Sequence, residues 1–502
     1  MPRLAPSLFR RAARISPRLA TLLPVCRTVA SAQAELRWIR EHVRKTPPAP
    51  APAPPSKQHA PQPFGNQARA RRPGIARVGA YRSSTQTDLS RSESRATEDR
   101  IARLVARRGA GEPLQYVLGT QPFGDLEILC EKGVLIPRPE TEAWASMLAD
   151  LVALPSSSFS SRGRAQGGQT QTREEGRRKG LRILDLCSGT GCIGLSLYAR
   201  GTRAPSRRWG GATTRTTTTT TTTAEEEREP GMMRAQRSPV WRVFGFDVEH
   251  RAVRLARKNL RHNFCGPRRS QHAAHGRIVE EGEGEDVETR VTFEQADIFT
   301  DTWMTSLDND DNNPSQYAGS NKEKRRIDIL VSNPPYISQR GFETDTARSV
   351  RNHEPKRALV PSRPLTPVVA TCAPEDIFYA RLLAIADTLR PRVAAFEVGD
   401  MAQAMRVVEM AIARSRPEEN EQGDDRDGLV FSARWDVLEI WRDWPDCLPS
   451  EAEEDEEDVV VICGRRVPVR GSGHGRLVFL SEGPIPRNRF TNLGFRRTFY
   501  VG

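Results

Sequence analysis

LRILDLCSGTGCIGLSL, residues 181–197, opens as an apolar strand, ends in a glycine turn and passes directly into a helical pattern. The strand covers 181–187, and the helix runs from Gly191 to about residue 199. Glycines at 189 and 191 let backbone approach a ligand closely, and the first N–H groups of the following helix lack intrahelical partners. Such a turn serves a nucleoside-type cofactor, a dinucleotide, or only a tight bend. Asp185, Cys187, Ser188, Gly189, Thr190 and Gly191 are the candidate cofactor contacts on this motif.

Working outward, strand-like runs alternate with helical ones. VFGFDV (243–248) precedes a helix at 250–260, and VTFEQAD (291–297) and IDILVSN (327–333) follow. Further strands are expected at 392–397, 429–431 and 476–480. This alternation predicts an open, largely parallel α/β sheet. Right-handed crossovers then place the carboxyl ends of the strands, and with them the ligand site, along one edge. Polar or repetitive insertions near 155–180, 201–239, 266–289, 305–325 and 414–427 read as surface loops, because loop-closure cost grows slowly with length. The acidic run at 450–458 reads as another solvated loop.

Two aspartates end strands where an adenosyl ligand would lie. Asp247 closes the second strand and is placed to accept both hydroxyls of a ribose, or to cap the helix that follows; the roles are compatible. It follows Asp185 by 62 residues, and removing the 39-residue insertion leaves 23, close to the usual separation of about 20. Asp297, after the third strand, falls beside the adenine in the same architecture, or serves as a turn residue.

Asn333-Pro334-Pro335-Tyr336 follows the strand at 327–332. Two prolines remove two N–H donors and keep Asn333 extended, leaving a rigid corner rich in carbonyls. Methylation of a planar NH2 nitrogen needs such a corner, because its delocalised lone pair makes it a poor nucleophile. If the Asn333 side-chain oxygen and the Pro334 carbonyl each accept one N–H, the nitrogen is held in place and gains electron density. Tyr336 offers a flat face to the amide or base. The corner fits exocyclic amines of RNA or DNA bases as well as glutamine amides.

Hydrophobic residues make up 37% of the 502 and the formal charge is +13. The Pro/Ala run and the Thr tract at 216–223 have no pattern that could build a core. Most basic residues are Arg, and the excess is spread over tails and insertions, so no stable nucleic-acid complex is expected. Eight cysteines form no CxxC pair and no His/Cys group at metal spacing, so no metal is expected. No apolar run is long enough to span a membrane. Residues 1–30 carry six arginines and no acid, the composition of a mitochondrial transit peptide.

With GEPLQYVLGTQPFGDLEILCEKGVLIPRPETE (111–142), DLCSGTGCIGLSL, VSNPPYI, HEPKRALV (353–360) and FEVGD (396–400) in this order, the chain resembles the HemK/PrmC family of protein-(glutamine-N5) methyltransferases. The resemblance implies a Rossmann-like class I S-adenosylmethionine-dependent methyltransferase core with helices on both faces of the sheet, preceded by a small helical domain. It places the cofactor at 187–191 with Asp247 on the ribose, and a glutamine at 333–336. It implies as partner a class-1 peptide release factor, modified in its Gly-Gly-Gln loop and, given the N-terminus, in the mitochondrial matrix. Glu140 and Glu142 would shape the pocket or start a helix. The expected organisation is a transit peptide at 1–30, an interrupted helical docking region at 31–110 with a disordered linker at 46–96, a hairpin and entry helix at 111–150, a catalytic domain at 181–445, and an acidic loop and C-terminal strand or tail at 446–502. Cys187 stands where many relatives have glycine, and Ile298 where some have an aromatic. Gly167-Gly168-Gln169 repeats the tripeptide such enzymes modify, in a segment where three residues recur easily by chance. A cofactor-binding assembly factor without catalysis is the reading from a different class.

Overall fold

Ser16 and Thr28 punctuate the amino-terminal helices, each accepting a backbone N–H of the helix that follows it. The computed structural model describes residues 4–46, 84–153, 180–202, 241–265, 283–307, 327–362, 372–414, 434–449 and 458–483. It divides into two units, one ending at Leu118 and the other starting at Gly119.

The first unit is helical: α1 (Pro6–Ile15), α2 (Pro17–Cys26), α3 (Val29–Lys45), α4 (Ser84–Gly109) and α5 (Leu114–Leu118). Ala12, Leu19, Leu22 and Leu23 are buried together with Leu36, Ile39, Ile101 and Leu104. Arg108 grips Glu35 through two bonds of 2.7 and 2.8 Å. Residues 6–26, expected as part of a leader, supply two helices and much of the apolar core, and α4 begins within the expected 46–96 linker.

In the second unit a hairpin of β1 (Thr120–Phe123) and β2 (Leu126–Leu129) precedes α6 (Pro139–Ala153). Then come β3 (Arg182–Leu186), α7 (Cys192–Gly201), β4 (Arg242–Asp247), α8 (His250–Phe264), α9 (Glu283–Arg290), β5 (Val291–Gln295) and β6 (Ile329–Ser332). Two short helices, α10 (Gln339–Thr344) and α11 (Arg348–His353), lead to α12 (Ile377–Leu389), β7 (Val393–Glu397) and α13 (Met401–Ala413). β8 (Val437–Trp444), β9 (Val459–Ile462), β10 (Arg465–Arg470) and β11 (Ser472–Ser481) complete it.

Among the described residues, nine strands form one sheet in the order β5-β4-β3-β6-β7-β11-β8-β10-β9. β5, β4, β3, β6 and β7 are mutually parallel, and β11 runs antiparallel between β7 and β8. Alternate side chains enter two cores, as Ile183 faces one and Leu184 and Leu186 the other. Trp144 and Leu195, from α6 and α7, fill the first core; Leu382 and Val407, from α12 and α13, fill the second. Helices therefore cover both faces, as expected of a largely parallel sheet.

Beyond residue 445, β9, β10 and β11 belong to the same sheet, and β11 contains the strand expected at 476–480. Glu283–Arg290 is helical, overlapping the expected loop at 266–289, and Leu307, inside the expected loop at 305–325, is buried. The Thr tract, Gly167-Gly168-Gln169 and the expected strand at 429–431 lie outside the described residues. Among the described residues no helix is long and apolar enough to cross a membrane.

Candidate active site

The turn after β3 and the end of β4 meet through Asp247. Its Oδ2 accepts the Gly189 N–H at 2.8 Å and its Oδ1 the Glu249 N–H at 2.9 Å. A carboxylate offers about four lone-pair positions, so the group retains capacity for two further donors. Burial pushes its pKa up, against the pull of those two N–H groups. Asp185 is fully buried; Oδ2 accepts the Gly194 N–H at 3.0 Å, while Oδ1 has no protein partner. Burial pushes its carboxyl up to about 7, the Gly194 bond opposes this and the nearby Asp247 charge adds to it. The Ser188 hydroxyl is likewise buried without a partner.

Gly191 has φ +77° at the start of α7, and a Cβ there would lie 2.8 Å from the Phe293 ring. Gly189, at φ +56°, has no atom within 4 Å of where its Cβ would be. Cys187 is also left-handed, at φ +60°, so a non-glycine residue occupies the conformation glycine adopts most cheaply. Burial pushes its thiol up, so it is present as the protonated thiol. The turn is braced from below by Asn259 of α8, which is fully buried. Its Nδ2 donates to the Thr190 carbonyl at 3.0 Å, and its Oδ1 accepts the Leu129 N–H of β2 at 2.6 Å.

Beside this turn, Ser332 at the end of β6 donates its hydroxyl to the Leu186 carbonyl at 2.7 Å. The residues preceding Cys187 and Asn333 are thus one hydrogen bond apart. Asn333 Nδ2 donates to Thr141 Oγ1 at 3.4 Å. Tyr336 donates its phenol to Glu397 Oε1 at 3.2 Å, and its carbonyl accepts Gln403 Nε2 at 3.2 Å. Glu397, at the end of β7, accepts Thr141 Oγ1 at 2.6 Å and Trp144 Nε1 at 2.8 Å on its other oxygen. Burial pushes both Glu397 and Tyr336 up, and the phenol stays neutral.

The PRPETE string works through different residues than expected. Thr141, not Glu140 or Glu142, faces the Asn333 corner; the two acids lie in the first turn of α6, where carboxylates suit the helix dipole. Arg138 donates to Glu354 of HEPKRALV at 2.8 Å, and the other Glu354 oxygen accepts the Ile136 N–H at 3.1 Å. Asp297 is exposed and accepts the Phe299 N–H at 3.0 Å, the geometry of a turn residue. Thr141, Asn259, Glu354 and Glu397 were not singled out from the sequence. A lone acid ending the apolar run VAAFE, and another opening EPKRALV, were the available signals. Among the described residues no group of three or more side chains is arranged to hold a metal.

The free oxygen of Asp185, the free hydroxyl of Ser188, the spare capacity of Asp247 and the open space at Gly189 suit a nucleoside carrying a cationic group. A sheet of this strand order, with its glycine turn after one central strand and its acid after the next, is that of the class I S-adenosylmethionine-dependent methyltransferases, and this chain is one of them. No family model matches the chain. It is 27% identical over 360 residues to the mitochondrial MRF1 N(5)-glutamine methyltransferase MTQ1 of Saccharomyces cerevisiae, a match spanning 72% of this chain and 68% of that one. It is 28% identical to the probable mitochondrial counterpart of Schizosaccharomyces pombe, across 52% of this chain and 55% of that one. To the release factor glutamine methyltransferase of Agrobacterium fabrum it is 37% identical, across 54% and 60%. By these matches the chain is similar to the HemK/PrmC family of glutamine methyltransferases. The solved hMettl16 catalytic domain overlays at a TM-score of 0.32 with 12% identity, across 76% of this chain and 83% of that one, too loosely to bear on function.

Proposed function

We propose that the chain transfers the methyl group of S-adenosylmethionine to the side-chain nitrogen of the glutamine in the Gly-Gly-Gln loop of a class-1 peptide release factor, in the mitochondrial matrix. Mitochondrial location accords with the two fungal relatives. Asp185 and residues 187–191 hold the cofactor, and Asp247 takes its ribose hydroxyls. The bound cofactor supplies an electrophilic methyl group. Asn333 Oδ1 and the Pro334 carbonyl accept the two N–H bonds of the glutamine, and Tyr336, held by Glu397, backs the amide plane. Pro335 keeps the corner stiff. Asp297, given its turn geometry, takes no part in this reading.

The observation that carries the reading is the Ser332–Leu186 hydrogen bond, which fixes the nitrogen-accepting corner beside the cofactor turn. The test is methyl transfer from labelled S-adenosylmethionine by the full chain, with a mitochondrial release factor, its Gln-to-Ala loop variant and bulk RNA as acceptors. Label on the unaltered factor alone, lost in Asn333→Ala, is expected. Label on RNA alone overturns the reading in favour of a nucleic-acid enzyme. Cofactor binding with no label on any acceptor favours the assembly factor.

A further inference from the structure

We propose that Thr141 and Glu397 are positioning residues that set which way the Asn333 amide faces, holding its NH2 inward and its carbonyl oxygen toward the acceptor nitrogen. The inference rests on the reading that an amide nitrogen is methylated at this corner.

The direction follows from counting donors. Glu397 Oε2 meets two groups, the Trp144 indole at 2.8 Å and the Thr141 hydroxyl at 2.6 Å. An indole N–H only donates, so Oε2 accepts from Trp144, and with Thr141 on the same oxygen and the Tyr336 phenol on Oε1 the group acts as a carboxylate that accepts on both oxygens. At 2.6 Å two oxygens attract only with a hydrogen between them, and the one available belongs to Thr141. The hydroxyl has no second hydrogen, so toward Asn333 it only accepts. The Asn333 atom 3.4 Å from Thr141 is therefore the nitrogen, and Oδ1 takes the opposite side. Without this relay, amide oxygen and nitrogen can exchange places, and the flipped form presents an N–H to a substrate N–H. Thr141, Trp144 and Glu397 are all buried, so water does not compete for these bonds.

The experiment compares Thr141→Val, Thr141→Ser, Glu397→Leu and Glu397→Gln in the full chain, reading kcat, KM for the release factor, cofactor dissociation constant and thermal midpoint. Thr141→Val keeps the shape and removes the hydroxyl; kcat is expected to fall on the order of 100-fold, as for a misaligned reacting group, with cofactor affinity unchanged. Thr141→Ser restores most of that loss. Glu397→Leu matches Thr141→Val, whereas Glu397→Gln, which still offers an oxygen to Trp144 and Thr141, loses less. Neutron diffraction of the unaltered protein reads the orientation without activity: deuterons on the Asn333 atom facing Thr141 support the relay. Deuterons on the other atom, or Thr141→Val folding with an unchanged kcat, overturn it. Failure of the unaltered chain to label glutamine overturns the proposed reaction instead, and leaves the diffraction result to decide the orientation.

Discussion

Arg138 and Glu354, 216 residues apart in sequence, form an ion pair of 2.8 Å in which the Glu354 side chain is 1% exposed and that of Arg138 is 29% exposed. The asymmetry makes the two partners unequal. Arg138→Met strands a buried carboxylate, a loss of about 3–5 kcal/mol. Glu354→Leu leaves one unpaired backbone N–H and an arginine able to reach water, a loss of about 1–3 kcal/mol. Urea midpoints of the two variants should rank in that order, and the reverse ranking would show that the carboxylate is not the desolvated partner.

Cofactor affinity should depend on pH through Asp185. Its carboxyl titrates at about 7 in the folded chain, whereas an unfolded carboxyl titrates near 3.9. Between those values the folded state holds a proton that the unfolded state has lost, so this group's contribution to stability declines as pH rises through that window. A cationic group against Oδ1 favours the ionised form, so binding below about pH 7 expels a proton. Affinity for S-adenosylmethionine then rises by up to about tenfold per pH unit toward pH 7 and levels off above it. Calorimetry in buffers of different ionisation enthalpy counts the released proton directly. Proton release that is absent at about pH 6, or unchanged in Asp185→Asn, sinks the assignment.

Deleting residues 1–30 should unfold the helical unit rather than trim a tail. The deletion removes Ala12, Leu19, Leu22 and Leu23 from its core. Each buried leucine contributes about 1.5–3 kcal/mol, so three of them approach the whole stability of a small domain. The expected result is rapid proteolysis of the remaining helices up to Leu118, with the full-length chain resistant. Equal resistance of the truncated chain would show that these residues are dispensable for the helical core.

The amino-terminal end carries a composition that supports two readings at once. Arginines set among Leu and Ala on a helical period satisfy an import signal, and they equally satisfy a helix that buries one stripe and solvates the other. The partner surface that α3 and α4 provide supports the second role without bearing on the first. The central sheet was legible because β3, β4, β5, β6 and β7 are apolar runs broken by turns. β8 was not, since VLEIWRDW interrupts its apolar run with Glu439, Arg442 and Asp443. The two acids are buried by pairing with Arg470 and Arg476 from strands much later in the chain. Likewise Asn333 and Tyr336 stood out by their motif, while Thr141 and Glu397 matter through partners about 190 and 60 residues away, a relation no local pattern carries.

The same reasoning gives Asn259 a measurable role. Its amide is the joint between the β2 hairpin and the cofactor turn, filling the Thr190 carbonyl, the Leu129 N–H and, at 3.3 Å, the Leu129 carbonyl. Asn259→Leu keeps the volume and leaves all three unpaired, at about 1–3 kcal/mol for each group that finds no water. Because the loss falls on the turn and not on the Asn333 corner, the KM for S-adenosylmethionine should rise several-fold while kcat at saturating cofactor stays near that of the unaltered enzyme. A fall in kcat with cofactor KM unchanged would place the joint under the acceptor corner instead, and the division of labour between the two halves of the site would have to be redrawn.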